Sequence, residues 1–121
     1  MTIEQEFFIN ILRILPTDSI FYIQAPNLSL PIILKELKPA KEMYYKTFQL
    51  NNTNKELLIN CIMTENIHED IQSIEIRLNN FRLIEGYDGL EYYIVSKNMK
   101  LPEDFCQKYK DKDIFNISTD W

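Results

Sequence analysis

Ser73-Ile-Glu-Ile-Arg-Leu-Asn-Asn-Phe-Arg-Leu-Ile-Glu-Gly-Tyr-Asp-Gly-Leu-Glu-Tyr-Tyr-Ile-Val-Ser96 is the stretch whose reading decides the fold. Ile74, Ile76 and Leu78 alternate with Glu75 and Arg77, the period of a strand with one buried face. Asn79-Asn80 follows at the position of a two-residue hairpin loop, and asparagine tolerates the positive φ that a type I′ turn demands. Phe81, Leu83 and Glu85 continue one face of the returning strand. Gly86-Tyr87-Asp88-Gly89 reads as a second turn and contains both glycines of the chain. Tyr92 to Val95 is β-branched and aromatic, hence a third strand. The three strands form a meander over about 73–96, expected at the centre of the sheet.

Before the meander, the pattern alternates between helix and strand. Residues 2–15 carry Ile3, Phe7, Phe8, Ile11, Leu12 and Leu15 at helical spacing, with Thr2 and Gln5 placed for a capping box and Pro16 as the stop. Ser19 to Ala25 is a short apolar run, read as a strand covered on both faces. Ser29 and Pro31 open a predicted helix from Leu30 to about Lys38, with Pro39 ending it. Lys41 to Leu50, Met43 included, reads as a strand with Tyr44, Phe48 and Leu50 on its apolar face. Thr53 and Glu56 repeat the capping-box spacing, so Asn54 to about Glu65 is a helix burying Leu57, Leu58, Cys61 and Ile62. Residues 66–73 suit either helical or strand spacing. The two-residue Asn-Asn connection fits only between strands, so a short helical turn or loop precedes a strand from 73.

After the meander, Leu101-Pro102 opens a last helix to about Lys110. Glu103 and Asp104 lie at its positive end and Lys108 and Lys110 at its negative end. Ile114, Phe115 and Ile117 predict a short strand at a sheet edge. Trp121, the one tryptophan, either docks on the surface or frays. Helices and strands do not alternate as parallel βαβ units would. The expected fold is therefore a single α+β domain over residues 1–121: a mainly antiparallel sheet with the meander at its centre, packed by three or four helices.

A chain of 121 residues, 45% hydrophobic and 26% charged, is long and apolar enough to bury one core. Its 13 basic and 18 acidic residues give a formal charge of −5. That balance argues against nucleic acid or an anionic membrane as partner and suits a basic one. Cys61 and Cys106 do not make a disulfide framework, and no apolar run approaches a membrane span or a secretory signal. The expected setting is the bacterial cytoplasm.

Residues for chemistry are scarce. His68 is the one histidine, lies beside no nucleophile signature, and is read as a polar surface residue. His68-Glu69-Asp70 lacks the ligand spacing of a metal site, and two glycines do not make a phosphate loop. No catalytic residue, metal or cofactor is expected. The tyrosines are more informative, because tyrosine is rigid, amphipathic and enriched at interfaces. Glu85, Tyr87, Asp88, Glu91, Tyr92 and Tyr93 form the candidate partner-binding set, although Tyr92 and Tyr93 must point to opposite faces of a strand.

An acidic, aromatic surface meets arginine or lysine on a partner. The function expected is a non-enzymatic protein-binding module, in its concrete form an immunity protein that neutralises a basic toxin domain. The alternatives are an accessory subunit self-associating through the N-terminal helix, and a small enzyme or ligand-binding protein using Glu85, Tyr87 and Asp88. A monomer and a homodimer both suit the sequence.

Overall fold

The computed structural model describes residues 1–42 and 44–121. Met43 lies outside the described residues, and the expectation of a strand there is left with it. Elements follow in the order α1 (Ile3–Ile14), β1 (Ser19–Gln24), α2 (Pro31–Leu34), β2 (Lys38–Pro39), β3 (Lys46–Leu50), α3 (Asn52–Glu65), a 3₁₀ turn (Ile67–Asp70), β4 (Ser73–Leu78), β5 (Phe81–Tyr87), β6 (Tyr92–Val95), α4 (Glu103–Tyr109) and β7 (Phe115–Ile117). The strands form one sheet of order β2-β3-β1-β4-β5-β6-β7, antiparallel throughout except between β6 and β7. The meander β4-β5-β6 is present as read, with β1 paired to the free side of β4.

Register explains why one face is dry. Phe21 stands opposite both Phe48 and Ile76, Ile23 opposite Ile74, Ile76 opposite Ile84, and Ile84 opposite Val95. This belt meets the apolar sides of α1, α3 and α4 in a single core. Phe7 of α1 is its hub: its ring lies 4.7 Å from Tyr93, 5.4 Å from Phe105, 5.1 Å from Tyr109 and 5.3 Å from Phe115, centroid to centroid. The Thr2–Gln5 capping box forms as the spacing predicts. Phe7, Phe8, Ile9, Ile11 and Leu12 are all buried, so the chain's own core absorbs the stripe on which self-association through α1 would depend.

Several local expectations are corrected. β1 is covered on one face only, since Ile20, Tyr22 and Gln24 face away from the core. The helix read from Leu30 to Lys38 is a single turn, Pro31–Leu34, with Leu30 rather than Ser29 at its cap and no side-chain capping bond. It buries only Ile33, too little to extend a helix. Lys38 and Pro39 instead pair with β3 at the sheet edge, where a proline is tolerated. The next strand begins at Lys46 rather than Lys41. Tyr44 has φ 71° and is 78% exposed, and Tyr45 N–H donates to the Glu42 carbonyl across a turn. α3 is capped by Asn51, whose side chain accepts from Asn54 N–H at 2.8 Å, and not by Thr53.

Inside the meander, Asn79 and Asn80 have φ 51° and 67°, the type I′ geometry that the hairpin requires. A bulge then shifts the returning strand. Ile76 faces Ile84 while Arg77 faces Arg82, so Leu83 is the extra residue. Ile84 therefore takes the core face, Glu85 takes the other, and Phe81 is exposed, against the expectation of Phe81, Leu83 and Glu85 on one side.

Gly86 is a residue of β5, not of a turn, and its φ is not positive. It is required for room: a Cβ there would stand 2.8 Å from Ile74 Cγ1, 3.0 Å from Leu90 Cδ2 and 3.2 Å from Tyr93 Cε1. Gly86→Ala is expected to cost about 1 to 3 kcal/mol through overpacking. Urea unfolding checks it, the midpoint falling with an unchanged slope.

Candidate partner-binding surface

The six residues singled out from the sequence fall in three places. Glu85, Tyr87 and Tyr92 lie on the helix-free face of the sheet, Glu85 opposite Glu75 and Tyr87 opposite Tyr92. Tyr93 points the other way and is fully buried against Phe7, so it belongs to the core and not to a contact surface. Burial holds its phenol well above the ordinary tyrosine pKa. Asp88 and Glu91 sit past the end of β5, on the rim of a pocket beside the start of α1.

The helix-free face is largely self-satisfied. Glu75 forms an ion pair with Arg77 and lies 3.9 Å from Arg82, and Arg82 also pairs with Glu85. Arg77 reaches Glu42 at 3.1 Å. The two guanidinium groups cover aromatic planes, Arg77 at 4.2 Å from the Tyr22 ring centre and Arg82 at 4.0 Å from that of Trp121. Trp121 is docked, not frayed: its carbonyl accepts from Lys97 N–H at 2.7 Å. Tyr92 accepts a hydrogen bond from the Asn116 side chain. The charges that the sequence left to a partner at Glu85 are answered within the chain.

The pocket at the start of α1 is different. It measures about 350 Å³ and is lined by Thr2, the N-cap of α1, Glu4 of α1, His68 and Glu69 of the 3₁₀ turn, and Asp88, Gly89 and Glu91 of the β5–β6 connection. No lysine or arginine lines it. Among the described residues none of its four carboxylates is in an ion pair. The N-terminal amides of α1 supply a positive potential that helps to hold this negative charge.

Three segments distant in sequence are fastened to make it. The buried Gln5 side chain donates to the Ile62 carbonyl at 2.8 Å and to Asn66 Oδ1 at 3.3 Å, tying the first turn of α1 to the end of α3. Asn66 ends α3 at φ 52° and starts the 3₁₀ turn. Gly89 N–H donates to the Gln72 carbonyl at 3.1 Å and fixes the β5–β6 connection to the start of β4. That connection carries three successive left-handed residues, Asp88 (φ 55°), Gly89 (69°) and Leu90 (64°), closed by Glu91 N–H on the Tyr87 carbonyl. A left-handed leucine costs about 1 to 2 kcal/mol. Full burial of Leu90, worth roughly 1.5 to 3 kcal/mol, offsets this and presents Asp88 and Glu91 outward.

His68 corrects the expectation of a surface residue. Only 9% of it is exposed, and its Nδ1 has no hydrogen-bond partner. Burial lowers its pKa below the ordinary 6.5, opposed by the carboxylates of Glu69, Asp70 and Glu4. Asp88 and Glu91 line the same pocket as His68.

With the folded pKa below the unfolded one, the unfolded chain takes up the proton first. The stabilisation is whole above about pH 6.5 and is lost as pH falls through the folded pKa. His68→Phe keeps the ring volume and removes the ionisation. The variant is expected to lose less stability than the parent between pH 7 and about pH 5. Urea midpoints across that range check it, and parallel curves would refute it.

No group of three or more His, Cys, Asp or Glu among the described residues is arranged to hold a metal ion. Among the described residues no helix is long and apolar enough to cross a membrane. Cys61 and Cys106 are unpaired. Sequence reasoning found Asp88 and Glu91 but not Glu4, Glu69 or the buried position of His68. Nothing in the spacing of those residues signals that they converge, because the convergence is made by Gln5, Asn66 and Gly89. Compared with protein-family models, with curated proteins and with solved structures, the chain matches none.

Proposed function

We propose that the protein is a non-enzymatic protein-binding module that engages a basic partner at the pocket of Glu4, Glu69, Asp88 and Glu91. In its most concrete form it is an immunity protein of the bacterial cytoplasm, capping a cognate toxin domain. The observation that carries this reading is the set of four unpaired carboxylates gathered from three segments around one cavity. Unpaired charge on a rigid frame costs stability through self-repulsion and is recovered when a cationic surface docks. The net charge of −5 adds long-range attraction toward the same class of partner.

The enzyme alternative has less to stand on. Glu85 is held by Arg82 on the sheet face, while Asp88 lines the pocket at the sheet's end. Co-expression with a candidate toxin from a neighbouring gene tests the proposal. Protection of the host and a salt-sensitive one-to-one complex are expected. The absence of both protection and a complex would overturn it.

A further inference from the structure

We propose that the end of the sheet beside α2 docks an acidic peptide segment, anchored by one aliphatic side chain. Phe48 and Leu50 of β3 face the core, and Lys46 continues the same face at the start of the strand, opposite Ile23 of β1. There the core opens into a pocket of about 120 Å³, walled by Ile23, Leu28, Leu34 and Leu37 and edged by Tyr44 and Lys46. No carboxylate side chain lines it. The walls are fastened within the chain. Leu28 N–H donates to the Ala25 carbonyl at 3.1 Å, Leu37 N–H donates to the Leu34 carbonyl at 3.2 Å, and β2 pairs with β3. The site shares no residue with the acidic pocket and does not rest on the reading of that pocket.

Size and charge together select the occupant. Small-molecule sites measure about 300 to 1,000 Å³, whereas a cavity of about 150 Å³ holds a single benzene ring. The space beside α2 therefore takes one side chain and excludes an acyl chain. Residues 35–46 hold four lysines, Lys35, Lys38, Lys41 and Lys46, against Glu36 and Glu42, and Glu42 is paired with Arg77. All four lysines are exposed, and among the described residues none is in an ion pair. Lys35 and Lys38 directly follow the wall residues Leu34 and Leu37. Carboxylates flanking an aliphatic anchor complement this arrangement. The basic corner is local in a chain of net charge −5. Screening over about 8 Å at physiological salt lets a short peptide meet the lysines, whereas an anionic membrane would also meet the acidic remainder. Tyr44 completes the rim. It is 78% exposed at φ 71°, so burial in the chain does not offset its left-handed backbone as it does for Leu90, and strain of that kind collects at ligand clamps.

The test is an NMR titration of the methyl-labelled protein with the peptide N-acetyl-Asp-Glu-Leu-Glu-Asp amide at low ionic strength. Saturable shifts of the Ile23 and Leu28 methyls are expected. Affinity is expected to fall about tenfold or more when the leucine is replaced by glycine, or when the acids are replaced by their amides. Lys38→Glu with Lys46→Glu is expected to abolish binding. Leu34→Ser, at a position already 38% exposed, is expected to weaken it, and thermal unfolding of both variants shows whether the fold is kept. Methyls that do not move, equal shifts with the amide peptide, or shifts undiminished in a folded lysine variant would overturn the proposal. Sedimentation with phosphatidylserine vesicles while the peptide leaves the methyls unmoved would assign the corner to a membrane and overturn it. Methyl shifts that grow with protein concentration alone, unaffected by the peptide, would assign it to a second copy of the chain and overturn it too.

Discussion

Phe7→Ala is expected to lower the stability of the protein by about 3 to 5 kcal/mol, the range for truncating a fully buried phenylalanine. Phe7 is completely buried, and its ring is within contact distance of four other aromatic rings. Those rings come from β6, α4 and β7, so the side chain joins the C-terminal third of the chain to α1. Truncation removes its buried area and leaves a cavity that four rigid rings cannot easily fill. A single domain typically has about 5 to 15 kcal/mol in total, so this one change takes a large part of it. Phe7→Leu, which refills much of the space, is expected to cost less. Denaturant unfolding of the two variants measures both. A loss below about 1 kcal/mol for the alanine variant would mean that the aromatic cluster is not the centre of the core.

The second large effect concerns the partner. Glu69→Lys with Glu91→Lys reverses two of the four pocket carboxylates and is expected to weaken the complex about a hundredfold, or about 2.7 kcal/mol. These positions are chosen on structural grounds. Both are exposed, and neither has a left-handed backbone. Glu4→Lys would instead place a cation at the positive end of α1, and Asp88→Lys would add strain at φ 55°. Reversal at the sheet face, Glu85→Lys, breaks the ion pair with Arg82 and is expected to change affinity far less. Isothermal titration of the purified partner with each variant, together with thermal unfolding of the free proteins, separates loss of binding from loss of fold.

The parts of the fold legible in the sequence are those fixed by local chemistry. Asn79-Asn80 carries its own left-handed preference, so the hairpin follows from two residues. Thr2 and Gln5 close their capping box without help from the rest of the chain. Elsewhere tertiary contacts decide. The bulge at Leu83 lets Ile84 fill the core, and period-2 counting from Phe81 does not see it. Lys38-Pro39 pairs with β3, and this ends α2 after one turn. Gly86 looks like a turn glycine beside Tyr87-Asp88-Gly89, yet the need for it comes from Ile74, Leu90 and Tyr93 packed against it.

For the site, the same division holds. Asp88 and Glu91 were visible because they flank a glycine turn beside tyrosines. Tyr93 was separable from Tyr92 by strand alternation. Glu85 was placed with Asp88 because they are close in sequence, but Glu85 precedes the end of β5 and faces the sheet surface with Arg82. Glu4, Glu69 and His68 join Asp88 only through long-range hydrogen bonds from Gln5 and Gly89, and a linear reading has no access to those.

The most direct test of the central claim is affinity capture from lysate of the source organism, with the tagged protein and its Glu69→Lys/Glu91→Lys variant side by side, at about 50 mM and about 300 mM salt, where screening differs severalfold. The account predicts one stoichiometric basic protein on the parent at low salt, reduced at high salt and missing from the variant. Recovery of the protein with only itself, or of a partner that the variant retains equally, would contradict it.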